Sequence, residues 1–315
     1  VTGVANGIAT ITVITQNGYT AQCSVPVITS ITSLAVSPTS KTLNIGETVQ
    51  LTGTVTPTST TEGVQWASSN TNVATVSSSG LVTAKSAGTA TITFKNSSST
   101  KYASCMITVS YVGYYADIDG DGTVDGIIFA DLLNGKTGQW MFSDATYTIP
   151  AIESTKVKSY KVSQEDYTDQ LGGTSKILTP LGDGNDRFYI MALTDVGTYA
   201  LASSMSGTST AFGSGKANTQ TLIERMKLDS SLKKAIQQKV NKGWFIPSKE
   251  EWSAFAGELG INRSNYGSKG LEGWYWSSSQ YYNDSGNAWR AGLSGNTMHY
   301  FSYGHYTYAR LATTF

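Results

Sequence analysis

A repeat constrains this chain more than any other feature. Val1-Thr2, followed by Gly7-Ile8-Ala9-Thr10-Ile11-Thr12, returns as Val82-Thr83, followed by Gly88-Thr89-Ala90-Thr91-Ile92-Thr93. A pattern recurring at such an interval marks a repeated module. Residues 1–28 therefore read as the C-terminal piece of one module and residues 30–110 as a complete copy. Inside that copy, Thr48-Val49-Gln50-Leu51-Thr52-Gly53-Thr54-Val55 and Ala90-Thr91-Ile92-Thr93-Phe94 alternate apolar with polar side chains, with turn clusters between such segments. Period-two alternation puts the apolar residues on one face of each strand, which predicts an antiparallel sandwich. Cys23 and Cys105 fall at nearly equivalent places in successive modules, so a bond between them is not expected. Both read as small buried apolar groups.

Composition narrows the partners. With 22 basic and 22 acidic residues the formal net charge is zero, and the chain lacks the basic stripe that nucleic acid or an anionic membrane surface requires. No apolar run approaches the roughly 20 residues of a membrane span, and no basic-then-apolar leader opens the sequence. The chain begins on Val1 within the repeat, so it is expected to be a fragment with any targeting signal upstream. Charged residues make up only 14%, and with abundant Gly, Ser and Thr this suits a β-rich extracellular, cell-surface or virion-surface protein.

Family-like residues are dense in the complete copy: Val36-Ser37-Pro38, Gly46-Glu47, Val64-Gln65-Trp66-Ala67-Ser68-Ser69-Asn70, Val73-Ala74-Thr75-Val76, Gly80-Leu81-Val82-Thr83-Ala84 and Ala87-Gly88-Thr89-Ala90-Thr91-Ile92. Together they resemble the group 2 bacterial immunoglobulin-like domain. The resemblance implies a spacer or adhesive stalk in which Trp66 is the core tryptophan.

From residue 111 the texture changes, and residues 111–315 are expected to form a second, larger domain mixing helix and strand. Leu222, Ile223, Met226, Leu232, Ile236 and Val240 recur near helical spacing, with Asp229-Ser230-Ser231 as a break. Another helix should open at Ser248, where Glu251 completes a capping box, and should bury Trp252, Phe255 and Leu259. Near the start of this half, Asp117, Asp119, Asp121 and Asp125 take positions 1, 3, 5 and 9 of an EF-hand-type loop, with Gly122 at the sixth. Four close carboxylates repel unless a hard cation sits among them, yet Ile128 stands where the bidentate Glu belongs. A structural Ca2+ site and a solvated Asx/Gly turn are both compatible with these residues.

Catalytic constellations are scarce. The two histidines, His299 and His305, suit neither a helical metal pair nor a triad with an identifiable nucleophile, and there is no Gly-x-Ser-x-Gly elbow or phosphate loop. No enzyme is expected. Tyr275 to Tyr308, by contrast, holds seven of the chain's 18 tyrosines among Ser, Asn and Gly, with only Asp284 and Arg290 charged. That is the composition of paratopes, where Tyr supplies rigid amphipathic area and small polar residues supply adaptable hydrogen bonds.

Gly243-Trp244-Phe245-Ile246-Pro247-Ser248-Lys249-Glu250-Glu251-Trp252, Tyr275-Trp276-Ser277-Ser278-Ser279, Asn287-Ala288-Trp289 and the closing Tyr308-Ala309-Arg310-Leu311-Ala312-Thr313-Thr314-Phe315 resemble the C-type-lectin-like fold of variable proteins from diversity-generating retroelements. The formylglycine-generating-enzyme branch of that fold shares the helix-entry motif. The resemblance implies a multidomain chain: all-β immunoglobulin-like sandwiches followed by an α+β C-type-lectin-like domain. It also implies diversified contact residues in the gaps between anchors: Tyr282, Asp284, Ser285, Arg290, Ser294, Asn296, His299, Tyr300, Ser302, Tyr303, His305 and Tyr306. Trp274, Trp276, Trp289 and Leu311 would be scaffold. The expected ligand is a protein or glycan on a cell surface, bound by a surface-displayed or phage-borne receptor, and a homo-oligomeric form is compatible with these residues. The rivals are an adhesin stalk with an invariant lectin-like cap and a formylglycine-generating-type enzyme. The enzyme depends on C-terminal cysteines, and this chain has none after Cys105.

Overall fold

A computed structural model describes residues 1–315 apart from 134, 154–155, 205, 226 and 283, and apart from the side chain of 285. Met226, one of the expected helical apolar positions, therefore lies outside the described residues. The chain is mostly β and divides into two compact units, Val1–Tyr111 and Val112–Phe315.

In the first unit, a four-stranded sheet runs in the order Ser40–Leu43, Tyr102–Val109, Gly88–Asn96, Val64–Ser68. A three-stranded sheet of Thr48–Gln50, Leu81–Ala84 and Ala74–Val76 and a two-stranded pair of Ser33–Ser37 with Thr52–Thr56 complete the sandwich. The alternation read from the sequence sets the facing: Ala90, Ile92 and Phe94 turn inward and meet Val36, Leu43, Leu51, Val82, Cys105 and Ile107 in one core. Trp66 is half-buried at its margin, its ring 4.5 Å from that of Phe94. Gly80 is required beside it. Its φ is +85°, and a Cβ there would lie 2.7 Å from the Leu51 carbonyl oxygen and 3.1 Å from the Trp66 ring.

The repeat is visible as register. Gly7–Ile14 pairs with Thr20–Val27 so that Ile11 faces Cys23, just as Ile92 faces Cys105 in the complete copy. The two cysteines nevertheless differ. Cys105 is buried and Cys23 is exposed, and both thiols are free. The expectation that both are buried is corrected for Cys23: the face that packs on a second sheet in residues 30–110 is open around the hairpin of residues 7–27, where Ile8, Val13 and Ile14 are also exposed.

The second unit is built on two large sheets and a two-stranded pair of Lys136–Gln139 with Thr146–Ile149. A six-stranded sheet runs Ser159–Asp169, Gly173–Leu181, Tyr115–Ala116, Gly126–Asp131, Phe188–Ala192, Ala312–Thr314, so that the chain's last strand closes beside its early ones. A five-stranded sheet runs Gly197–Tyr199, Thr307–Ala309, Trp274–Tyr281, Asp284–Gly292, Thr297–Ser302. Among the described residues there are three α-helices, α1 (Gly215–Glu224), α2 (Ser230–Asn241) and α3 (Lys249–Glu258). The break expected at Asp229 is a helix start, its carboxylate accepting from the amides of Ser231 and Leu232. Ser248 and Glu251 form the full capping box at α3. Helix α3 buries Trp252 and Phe255 against Phe129, Tyr147, Tyr275 and Trp289. Among the described residues no helix is long and apolar enough to cross a membrane.

Candidate ligand-binding face and acidic loop

The Tyr-rich segment folds as the far end of the five-stranded sheet, with Thr297–Ser302 at its edge. Strand geometry sends its residues to opposite faces. On one face Trp289 sits opposite Tyr300. Tyr281 stacks on Tyr300 with ring centroids 4.1 Å apart, and Tyr282 lies 5.8 Å from Trp289. Lys249, at the start of α3, places its Nζ 4.3 Å from the centre of the Trp289 ring. Burial holds that ammonium below its ordinary pKa. Trp289 is 5% exposed, and its indole Nε1 has no hydrogen-bond partner among the described residues. On the other face Arg290 sits opposite His299 and is clasped between Trp274 and Phe301, 4.0 and 3.7 Å from their ring centres.

The expected contact positions separate into three groups. Tyr282, Ser294, His299, Tyr300, Ser302, His305 and Tyr306 are exposed. Asp284 is exposed as well, but its carboxylate accepts from Asn287 Nδ2 at 2.6 Å and from the Gly286 amide at 2.8 Å, which lowers its pKa and closes its own loop. Arg290 and Tyr303 are half-buried, the Tyr303 carbonyl accepting from the Leu201 amide. Asn296, expected at the surface, is instead buried at 5% exposure. It turns the chain with φ +55°, and its Oδ1 accepts from the Arg263 amide at 2.6 Å. The side chain of Ser285 lies outside the described residues. Beneath this surface Tyr275, Trp276 and Leu311 are fully buried. Trp252 Nε1 donates to the Trp276 carbonyl at 2.9 Å, and Trp276 Nε1 donates to the Tyr199 carbonyl at 2.8 Å. The exposed side chains therefore belong to a sheet whose inner indoles are buried and hydrogen-bonded.

Sequence reading missed Lys249 and Phe301, the residues that cover Trp289 and Arg290. The helix-entry motif that contains Lys249 was visible, but its approach to the hairpin depends on tertiary placement alone.

The acidic loop is partly assembled. Asp117, Asp119 and Asp125 bring one carboxylate oxygen each to within 4.8 Å of one another. Asp121 points elsewhere, capping the Thr123 amide at 2.7 Å. Asp117 accepts from the Gly120 and Gly122 amides and Asp125 from the Ile118 amide, so much of the loop's order comes from Asx-type bonds. Burial, followed by the neighbouring Asp119, Asp117 and Asp121 charges, raises the Asp125 pKa, although the Ile118 amide opposes it.

Residues 30–107 match the bacterial Ig-like domain (group 2). The chain is 42% identical over 82 residues to the kappa-carrageenase of Pseudoalteromonas carrageenovora, a stretch covering 26% of this chain and 21% of that enzyme. It thus spans about a fifth of the length of that curated relative. Among solved structures, domains 4 and 5 of the S-layer protein SbsC are 26% identical over 35% of this chain and 68% of theirs, with a TM-score of 0.22. A C-terminal fragment of intimin, solved with the intimin-binding domain of its translocated receptor, is 20% identical over 33% of this chain and 40% of its own, also at 0.22. The Ig-like domain occupies only the first compact unit, and every residue of the candidate face and the acidic loop lies in the second.

Proposed function

We propose that residues 112–315 are a non-enzymatic ligand-binding module with a C-type-lectin-like fold, displayed on Ig-like spacers at an extracellular cell or virion surface. One observation carries this reading. Exposed Tyr282 and Tyr300 on one face of the sheet, exposed His299 on the other, and exposed Ser302, His305 and Tyr306 in the same segment accompany fully buried Tyr275, Trp276 and Leu311. Aromatic side chains that are amphipathic and already ordered lose little entropy on binding. The exposed positions are proposed to be the diversified ones. In a natural population, substitutions should concentrate at Tyr282, Ser294, His299, Tyr300, Ser302, His305 and Tyr306 while Trp276, Trp289 and Leu311 stay fixed. Variation spread evenly along the unit would leave an invariant cap on an adhesin stalk. At the protein level, the full chain screened against arrayed extracellular proteins and glycans should yield a ligand whose affinity falls by about 100-fold or more in a Tyr282→Ser, Tyr300→Ser, Tyr306→Ser variant, the range of several interface anchors. A ligand indifferent to that variant would place the binding surface elsewhere.

The acidic loop is proposed to hold a structural Ca2+ through Asp117, Asp119 and Asp125. A site with a Kd of about 1 mM, in the range of extracellular modules, stabilises the folded unit by about 1.4 kcal/mol at ~10 mM ion. The expected result is a rise in melting temperature of roughly 3–6 °C that EDTA reverses and Asp125→Asn removes. An unchanged melting curve would identify the loop as an Asx turn open to solvent.

A further inference from the structure

Two arginines of the second unit are matched to carboxylates, and a third, Arg290, is not. Arg187 forms two hydrogen bonds to Asp131, at 2.8 and 2.7 Å, and Arg310 pairs with Asp195 at 2.5 Å. Arg290 has neither an ion pair nor a hydrogen-bonded partner among the described residues, and its Nε is buried without an acceptor. Trp274 and Phe301 cover both faces of its guanidinium. Asp284, at the far end of the same strand, is engaged by Gly286 and Asn287. Both of the chain's histidines border the same cluster, His299 with its ring 6.3 Å from Trp274 and His305 with its ring 4.6 Å from Phe301. A guanidinium sandwiched this way can be approached only in its own plane, which favours the flat, two-oxygen geometry of a carboxylate. Beside it, the Thr297–Ser302 strand is bonded to the sheet on one side only. An open strand edge recognises the main chain of an extended peptide, a group that a glycan lacks. The His299 ring, whose Nδ1 lies 2.7 Å from the Tyr300 carbonyl oxygen, would swing aside as a strand docks.

We propose that this edge binds an extended acidic peptide segment of a protein partner, with one Asp or Glu carboxylate seated on Arg290 between Trp274 and Phe301. The proposal rests on the reading of this face as a ligand-binding surface. Its test is the full chain titrated with fluorescent poly-L-glutamate, with polygalacturonate and poly-L-glutamine in parallel. Arg290→Gln, Arg290→Lys and the triple tyrosine variant are compared with the parent after melting curves confirm that each is folded. Poly-L-glutamate should bind, poly-L-glutamine should not, and affinity should fall about tenfold or more in Arg290→Gln. Arg290→Lys keeps the charge without the planar fork and should fall between. Binding that the tyrosine variant loses but Arg290→Gln retains would overturn the carboxylate seat and leave the ligand-binding face standing. Tighter binding of polygalacturonate would assign the carboxylate to a glycan and overturn the peptide. No binding of poly-L-glutamate, with a ligand from the array sensitive to the tyrosines, would also overturn the inference alone.

Discussion

Asp195→Ala should destabilise the second unit by about 3–5 kcal/mol, the cost of stranding a buried charge. Arg310 is 1% exposed, and its Nε donates to Asp195 Oδ1 at 2.5 Å. Its remaining donors reach the Ala192 carbonyl at 3.2 Å and the Gly270 carbonyl at 3.5 Å. Asp195 Oδ2 accepts from the Tyr275 hydroxyl at 2.9 Å, and Tyr275 stacks on Trp252 with ring centroids 4.8 Å apart. The carboxylate thus joins the link between the last two strands, the floor of the candidate face and α3. Removing it leaves a guanidinium with two carbonyls and no countercharge, and leaves the Tyr275 hydroxyl short of an acceptor. For a unit of this size the melting temperature should drop by roughly 6–20 °C. The double variant Asp195→Ala, Arg310→Met should recover much of that loss, because a buried pair replaced by apolar volume is often close to neutral. Thermal melts of the parent, both single variants and the double variant measure the coupling directly. A single variant within about 1 kcal/mol of the parent would show that water reaches Arg310 and that the pair is not a keystone of the unit.

That pair illustrates what the sequence conceals. Arg310 was visible in a closing motif, but nothing local marks Asp195, 115 positions earlier, as its partner. Features encoded within a few residues were legible: the alternation that turns Ala90, Ile92 and Phe94 inward, the break between two helices at Asp229 and the capping box at Ser248. The repeat even carried the strand register, since Ile11 faces Cys23 as Ile92 faces Cys105. Burial was less legible, because it depends on what lies across the strand. Cys23 and Cys105 occupy like positions, yet only one has a second sheet over it. The tyrosines show the same limit at the candidate face. Composition singled out the segment, but Tyr275 is floor while Tyr282 and Tyr306 are 73% and 77% exposed, and hydropathy cannot separate them. The family resemblance implied Asn296 as a contact residue in a gap between anchors, whereas a left-handed turn claims it. Such turns favour Asn for its tolerance of positive φ, a structural use of the residue that composition cannot tell from a functional one.

The second unit should lose stability as the pH rises from about 4.5 toward neutrality, and Glu251 is the main cause. Its carboxylate is fully buried and forms no ion pair among the described residues. Oε1 accepts from the amides of Gly213 at 3.0 Å and Gly215 at 3.3 Å, and Oε2 accepts from the Ser248 amide at 2.6 Å. The carboxylate therefore ties the approach to α1 to the first turn of α3, and a Cβ on Gly215 would fall 2.2 Å from Oε2. Burial pushes the Glu251 pKa up to about 7, against the lowering effect of those amides. A carboxyl whose folded pKa exceeds its unfolded value of about 4.5 binds its proton more tightly in the native state. Its contribution is fully present below pH 4.5 and is lost as the pH rises through about 7. At about 1.4 kcal/mol per pH unit the loss approaches 3 kcal/mol, or roughly 6–12 °C in melting temperature. Asp125, also raised, contributes in the same direction, so the diagnostic quantity is the difference between the parent and Glu251→Gln. The glutamine variant should be less stable at pH 4.5 by about 1–3 kcal/mol, because its amide nitrogen cannot accept from the backbone donors. It should also show a much flatter pH profile, so that the two curves converge toward neutral pH. Parallel curves across this range would mean that Glu251 titrates as an ordinary carboxyl, with the three amides outweighing its burial.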